Sequence, residues 1–168
     1  TGNHEWRVPG LRGILAQMRA CGVTVLQDDW RVLRRGEDAL IVAGTDDPCG
    51  PAERKTPAEL IADIRAEAAF LLLLAHRNDQ LPQWSALGVQ AVLAGHCHGG
   101  VVRLPFVGGL FGTDRRLFPA WDAGLYRQGE TALYVSRGLG YTNVHFRLFN
   151  RPEVAVIVLR RGSPAINS

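Results

Sequence analysis

Apolar and polar residues alternate along the chain with spacings that predict both helices and strands. A helical spacing comes first, at Leu11, Ile14, Leu15 and Met18, and Gly22 follows as a typical helix stop. This stretch therefore predicts an amphipathic helix that ends just before Gly22.

Short strands are predicted next. Val23–Leu26 is a brief apolar run typical of a buried strand. Residues 31–34 and 39–43 flank a polar turn that contains Gly36, which predicts a hairpin.

A second helix has a clear start signal. Thr56 can cap the helix, Pro57 suits its first turn, and Glu59 can reach back to complete a capping box. The buried face of this helix is predicted to consist of Leu60, Ile61 and Ile64.

Two strongly apolar runs predict inner strands covered on both faces. Residues 70–75 precede His76, and residues 89–94 precede Gly95 and His96, with a short helix expected over residues 82–87. Beyond Pro105 the pattern changes to glycine-rich loops and antiparallel strands, most clearly at residues 131–136 and 153–160. The whole predicts an α/β fold with a β-rich later part.

The size and composition fit one globular domain. The chain has 168 residues, of which 46% are hydrophobic and 21% charged. We expect a single domain over residues 1–162, followed by a tail at residues 163–168.

The charge pattern argues against nucleic-acid binding. The net charge is only +3, and the basic residues are scattered arginines, with Lys55 as the single lysine. Arginine suits phosphate recognition, although a bias in genomic base composition would give the same preference.

The cysteines do not predict a disulfide-stabilised domain, and the hydrophobic runs do not predict a membrane-spanning helix. Cys21, Cys49 and Cys97 are odd in number and widely spaced, so they form no disulfide framework. The most apolar run, residues 70–75, is far short of the roughly 20 residues that a membrane-spanning helix requires.

Histidines mark the candidate site. His4 follows Gly2 and Asn3, His76 ends one apolar strand, and His96 and His98 follow another. Imidazole is a common metal ligand, and α/β proteins place their sites at the carboxyl ends of strands. A lone histidine is usually structural, but four in such positions indicate a metal site.

These residues carry a family resemblance. Gly2-Asn3-His4-Glu5 resembles the G-N-H-[DE] motif of the calcineurin-like metallophosphoesterases, Leu74-Ala75-His76 their strand-end histidine, and Gly95-His96-Cys97-His98 their G-H-x-H motif. The resemblance extends over nearly the whole chain. The segments at 43–47, 123–126, 136–140 and 151–153 are similar to a bacterial subgroup like the UDP-2,3-diacylglucosamine hydrolases.

The resemblance implies a fold and a set of roles. The fold would be the four-layer α-β-β-α sandwich, truncated at its N-terminus. Asn3, His76 and His96 would ligate one divalent metal ion and His98 another, while His4 would contact the scissile phosphate and help to protonate the leaving oxygen. The ions would be Mn²⁺, Fe or Zn²⁺.

The implied reaction is hydrolysis of a phosphodiester, phosphomonoester or pyrophosphate by a hydroxide that bridges the two ions. The substrate would be a small molecule or a lipid-linked nucleotide sugar, with contact to a membrane surface and with no nucleic acid as a partner. The cellular compartment is left open.

One departure from the family pattern bears on the expected activity of this chain. The family's upstream D-x-H and G-D-x-x-D motifs, which supply the remaining ligands of the first metal, do not occur in this sequence. We therefore expect the chain alone to be inactive, and the parent protein to supply those ligands. The alternative is a non-catalytic module that binds one metal through His76, His96 and Cys97, or that serves only in protein interaction.

Several polar residues have both structural and functional interpretations. Glu5 could steady His4 or be exposed, and Arg137 could touch phosphate or pack a loop. Asp46 and Asp47 are tempting as paired carboxylates, but turn formation is favoured for them.

Other side chains have structural readings of the same kind. His145 is interpreted as structural, and Cys97 as tolerated beside a metal site. The aromatic residues could line an acyl-binding surface, but core and loop anchoring is favoured. They are Trp30, Trp84, Trp121, Phe106 and Phe111.

Overall fold

The computed structural model describes residues 1–51, 54–112, 116–141 and 146–160, which are organised around one six-stranded sheet. In chain order the elements are α1 (Leu11–Ala20), β1 (Asp29–Arg35), β2 (Asp38–Gly44), α2 (Pro57–Ile64), β3 (Phe70–Leu74), α3 (Leu81–Ala86), β4 (Ala91–Ala94), β5 (Arg103–Leu104), β6 (Gly108–Gly109), β7 (Gly124–Gln128) and β8 (Thr131–Val135). The α/β fold class is thus confirmed, and the sheet is compatible with the calcineurin-like fold.

The central strands of the sheet are parallel. The strand order is β1-β2-β3-β4-β8-β7, and β2, β3, β4 and β8 run in the same direction, with β1 and β7 antiparallel at the edges. The carboxyl ends of β3 and β4 therefore lie side by side, and the loops that follow them meet at one edge of the sheet.

One face of the sheet carries the hydrophobic core. Because side chains alternate between the faces of a strand, every second residue of the central strands points toward α2 and α3. The fully or almost fully buried apolar residues include Ile41, Leu60, Leu73, Leu81, Trp84, Val92 and Leu133. Trp30 and Trp121 pack at the margin of this core, which agrees with an anchoring role for these rings.

The opposite face is apolar and partly exposed. Phe70 and Leu74 of β3 are 45% and 39% exposed, and Leu125 of β7 is 60% exposed. The prediction that the strand at residues 70–75 is covered on both faces is therefore wrong for one face.

Two other predicted strands are wrong in the described part of the chain. Residues 23–26 and residues 153–160 join no sheet, although both are apolar. A strand requires a neighbouring strand to accept and donate its backbone hydrogen bonds. Val154 and Val156 are 75% and 83% exposed, so the apolar pattern alone does not provide a partner.

The remaining elements agree with the sequence pattern. The first helix, the hairpin, the capped second helix, the short third helix and the strand near residue 131 are all present within one or two residues of their predicted bounds. The tail at residues 163–168 and His145 lie outside the described residues, and the domain limits stay a prediction.

The cap of α2 gives a first testable prediction. The Glu59 backbone N–H donates to Thr56 Oγ1 at 3.2 Å, and the Thr56 backbone N–H donates to Glu59 Oε2 at 2.7 Å. Thr56→Ala should lower the free energy of unfolding by about 1 kcal/mol in urea titrations, because it removes the side-chain acceptor of the Glu59 backbone N–H. Thr56→Ser keeps the hydroxyl and should retain most of that stability; equal losses in both variants would contradict the capping role.

Candidate metal centre

The parallel pairing of β3 and β4 brings His76 and His96 together. Each histidine follows the end of its strand by two residues, and the Gly95 backbone N–H donates to the His76 carbonyl at 3.1 Å. His96 Nδ1 lies 2.9 Å from His76 Nε2, and the two rings meet edge to face with centroids 4.7 Å apart. The two ring nitrogens therefore lie within hydrogen-bond distance of each other at this edge of the sheet.

Asn3 joins this pair from the start of the chain. Its Oδ1 lies 2.8 Å from His76 Nε2. The approach requires glycine at position 2, since a Cβ there would lie 2.7 Å from the His76 ring. The Gly2 backbone N–H also donates to Glu5 Oε2 at 2.7 Å, so Glu5 holds the backbone of this segment.

Burial keeps both imidazoles neutral. Desolvation lowers the pKa of His76, and desolvation together with the neighbouring His76 lowers the pKa of His96 to about 4. Neutral imidazole is the form that binds metal, because its free nitrogen carries a lone pair. The pair is thus in the metal-binding protonation state at neutral pH.

The donor set fits part of a transition-metal site. Two neutral imidazoles and an amide oxygen are suitable ligands for Zn²⁺, Mn²⁺ or Fe. In the described part of the chain, no group of three or more His, Cys, Asp or Glu side chains is placed to hold a metal ion. Among these described residues, neither the buried Cys97 nor a carboxylate forms such a group with the two histidines.

His98 and His4 take no part in the side-chain contacts that join Asn3, His76 and His96. His98 hydrogen-bonds with the backbone of Gly140, and its pKa is lowered by burial and by the positive charge of Arg147. His4 is exposed at the start of a short 3₁₀ turn, Glu5–Arg7. The structure brings together Asn3, His76 and His96 but not His98 or His4, and the roles of all five stay predictions.

A buried ion pair beside the cluster was not predicted from the sequence. Arg77 Nε donates to Asp47 Oδ2 at 2.8 Å, and its Nη2 donates to Asp47 Oδ1 at 3.1 Å. The Asp47 side chain is fully buried, and it also accepts the Cys49 backbone N–H at 2.9 Å. Asp47 therefore forms the expected turn and also anchors the residue next to His76. Because the two residues are 30 positions apart in the sequence, no local pattern predicts their pairing.

The other polar candidates have structural partners. Asp46 accepts hydrogen bonds from Thr1 and Gln27. Arg137 Nε donates to Glu153 Oε2 at 2.7 Å, which agrees with loop packing.

The lowered pKa of His96 predicts a pH dependence of stability in the metal-free protein. The ordinary pKa is 6.5 and the folded value is about 4, so the unfolded chain binds a proton first as the pH falls. Stability from this group is therefore complete above about pH 6.5 and is lost progressively between pH 6.5 and pH 4.

Urea titrations at several pH values measure this loss, and His96→Gln should flatten the profile in that window. A variant with the same pH profile as the parent chain would contradict the assignment to His96.

Comparison with known proteins places the chain in a family. It is 30% identical over 162 residues to the "Uncharacterized metallophosphoesterase YkuE" of Bacillus subtilis (strain 168). The matched region covers 95% of this chain and 54% of that protein. It is 31% identical to "Phosphodiesterase YaeI" of Escherichia coli (strain K12), over 94% of this chain and 56% of that protein. An "Uncharacterized metallophosphoesterase" of Aquifex aeolicus (strain VF5) is 30% identical, over 95% and 59%.

The fold and these relatives define the class of protein. The chain belongs to the calcineurin-like metallophosphoesterase superfamily. It spans a little more than half the length of these relatives. The subgroup similar to UDP-2,3-diacylglucosamine hydrolases stays a prediction.

Two other comparisons add no family or fold. No protein-family model matches the chain, and no solved structure matches it. Among the described residues, no helix is both long and apolar enough to cross a membrane.

Proposed function

We propose that the protein containing this chain is a metal-dependent phosphoesterase, in which Asn3, His76 and His96 hold one divalent cation. The observation that carries this proposal is the convergence of Asn3 Oδ1 and His96 Nδ1 on His76 Nε2, at 2.8 and 2.9 Å. Family membership and the neutral state of both imidazoles support it.

A bound cation would supply charge stabilisation to a phosphoryl group at this edge of the sheet. The chain's own residues would hold the metal ligands in place. Gly2 allows Asn3 to reach His76, and the Asp47–Arg77 pair fixes the backbone beside it. His4 is exposed and next to Asn3, which suits a group that donates a proton to the leaving oxygen.

The second cation would be held by His98 together with carboxylate and histidine ligands from outside this sequence. Two observations support this part of the proposal. The relatives are nearly twice as long as the matched region, and the sheet has an apolar face on which Phe70 and Leu74 stay exposed. A further layer of the parent protein would cover that face.

The proposed substrate class is a phosphodiester or a pyrophosphate with an apolar part, such as a lipid-linked nucleotide sugar. The name "Phosphodiesterase YaeI" of one relative favours the diester. Apolar side chains beside the loop that carries His98 favour the lipid, since Phe106 is fully exposed and Val107 is 58% exposed. Contact with a membrane surface belongs to the same proposal.

Hydrolysis of bis-p-nitrophenyl phosphate by the longer protein tests the proposed activity. With Mn²⁺ present, turnover is expected, and His96→Ala should lower kcat/KM by at least about 100-fold, since it removes a metal ligand. Arg12→Ala, on the exposed side of α1, is the control and should retain full activity. Metal-independent turnover, or turnover unaffected by His96→Ala, would overturn the proposal.

A further inference from the structure

The loop that carries His98 has an unusual backbone. Four consecutive residues have positive φ, namely His98 (51°), Gly99 (69°), Gly100 (77°) and Val101 (50°). For a residue with a side chain, this left-handed region costs on the order of 1–3 kcal/mol, and it persists only where surrounding contacts impose it. Contacts from elsewhere in the chain must therefore hold this loop.

Asn150 makes contacts at both ends of the left-handed run. Its Nδ2 donates to the His98 carbonyl at 2.6 Å and to the Val101 carbonyl at 3.3 Å. The residue is 2% exposed, so neither bond competes with solvent. One buried carboxamide thus ties two backbone positions, about 50 residues away in sequence, to a single point.

The orientation of the carboxamide is determined by these carbonyls. If its ends were exchanged, an amide oxygen would face two carbonyl oxygens. Asn150 Oδ1 is buried and has no hydrogen-bond partner among the described residues. A Cβ at position 99 would lie 2.6 Å from this oxygen, so only glycine fits beside it. An apolar core residue would avoid the unpaired oxygen, which indicates that the donor function is what this position requires.

The short segment at residues 147–150, which contains Asn150, also holds a second loop at this edge of the sheet, at residues 137–140. Arg147 Nη2 donates to the carbonyls of Arg137 at 2.8 Å and Gly138 at 3.1 Å, and also to the Gly140 carbonyl. His98 itself hydrogen-bonds with the backbone of Gly140. The segment therefore fixes the backbone of His98 through Asn150, and the partner of its ring through Arg147.

We propose that Asn150 is a positioning residue for His98: its carboxamide locks the strained loop so that the imidazole is presented in one orientation before metal binds. The catalytic meaning of this rests on the function proposed above. The structural claim does not, because it concerns the metal-free protein.

Asn150→Asp tests this claim. Aspartate has the same shape but places a carboxylate oxygen against the two carbonyls, so the loop should loosen. In the metal-free protein, hydrogen exchange at the Gly100 and Arg103 amides, which pair with Cys97 and Leu148, should become at least about tenfold faster. In NMR spectra the His98 ring signals should broaden or shift, while those of His76 and His96 stay in place.

Thr131→Val is the matched control. Thr131 Oγ1 is buried and donates to the Val89 carbonyl at 2.6 Å, at the opposite end of the sheet. This variant also loses a buried hydrogen bond and should lower overall stability, but it should not change the His98 signals.

If Asn150→Asp does not fold, Asn150→Ser provides the test. The serine hydroxyl is a single hydrogen-bond donor on a shorter side chain. The variant should therefore show the same changes in hydrogen exchange and in the His98 signals, at smaller amplitude. Unchanged exchange and unchanged His98 signals in a folded Asn150 variant, relative to Thr131→Val, would overturn the proposal. These readouts need no metal, so a failure of the proposed function would leave this result standing.

Discussion

Replacing Asp47 with alanine should lower the free energy of unfolding by about 2–4 kcal/mol, because the change leaves a largely buried guanidinium without its carboxylate. Arg77 bonds Asp47 through two nitrogens, and the Asp47 side chain has no exposed surface. Arg77 itself is 27% exposed, so water can partly solvate its charge in the variant. This partial solvation keeps the expected loss below that of a fully buried pair.

Urea denaturation of Asp47→Ala and of a control, Asp63→Ala, measures the effect. Asp63 forms an ion pair with Lys55 at 2.7 Å, but both side chains are about half exposed. An exposed pair contributes little, so the control should lose less than about 1 kcal/mol. Equal losses of stability in the two variants would show that burial does not make the Asp47–Arg77 pair more stabilising than an exposed pair.

The pKa of Asp47 adds a pH dependence to the same prediction. Hydrogen bonds from Arg77 and Cys49 outweigh the opposing desolvation, which is the largest single influence, and hold the pKa of Asp47 below its ordinary value of 3.8. The stability from this carboxylate is therefore present above about pH 4 and is lost as the pH falls through the folded pKa. The difference in stability between the parent chain and Asp47→Ala should narrow at the lowest pH values.

The second large effect concerns metal affinity. His76 Nε2 is the atom on which the other two donors converge, so His76→Ala should weaken Mn²⁺ or Zn²⁺ binding by the chain at least about 100-fold. Isothermal titration calorimetry at neutral pH measures this change. His4→Ala is the matched control, because His4 is exposed outside the cluster and should leave the metal affinity unchanged. If His76→Ala binds metal as well as the parent chain does, the cluster is not the site.

The strand-end histidines could be predicted because their positions follow from local pattern. Each of two apolar runs is followed within two residues by a histidine, and parallel pairing of adjacent strands places such ends together. The capping box of α2 was predictable for the same reason, since Thr56 and Glu59 are close in sequence.

Other features depend on residues that are distant in sequence. The Arg77–Asp47 pair spans 30 residues, and the Asn150–His98 bond spans 52. Neither Asp47 nor Asn150 has a spacing pattern that indicates its partner. The face of β3 was also mispredicted, because an apolar run does not reveal which layers are present to cover it.

The separation of His98 from the cluster has a similar origin. The two histidines are only two positions apart and both have positive φ, but their side chains contact different partners. His96 faces His76, and His98 faces the backbone of Gly140.

Metal stoichiometry of this chain at neutral pH tests the central claim most directly. Elemental analysis after equilibrium dialysis against Mn²⁺ or Zn²⁺ should give about one ion per chain, held by Asn3, His76 and His96. No bound metal would contradict the claim that these three residues form a cation site. Two ions with phosphodiester turnover would contradict the claim that further ligands lie outside this sequence, while one ion in a longer protein with no turnover would favour a non-catalytic metal-binding module.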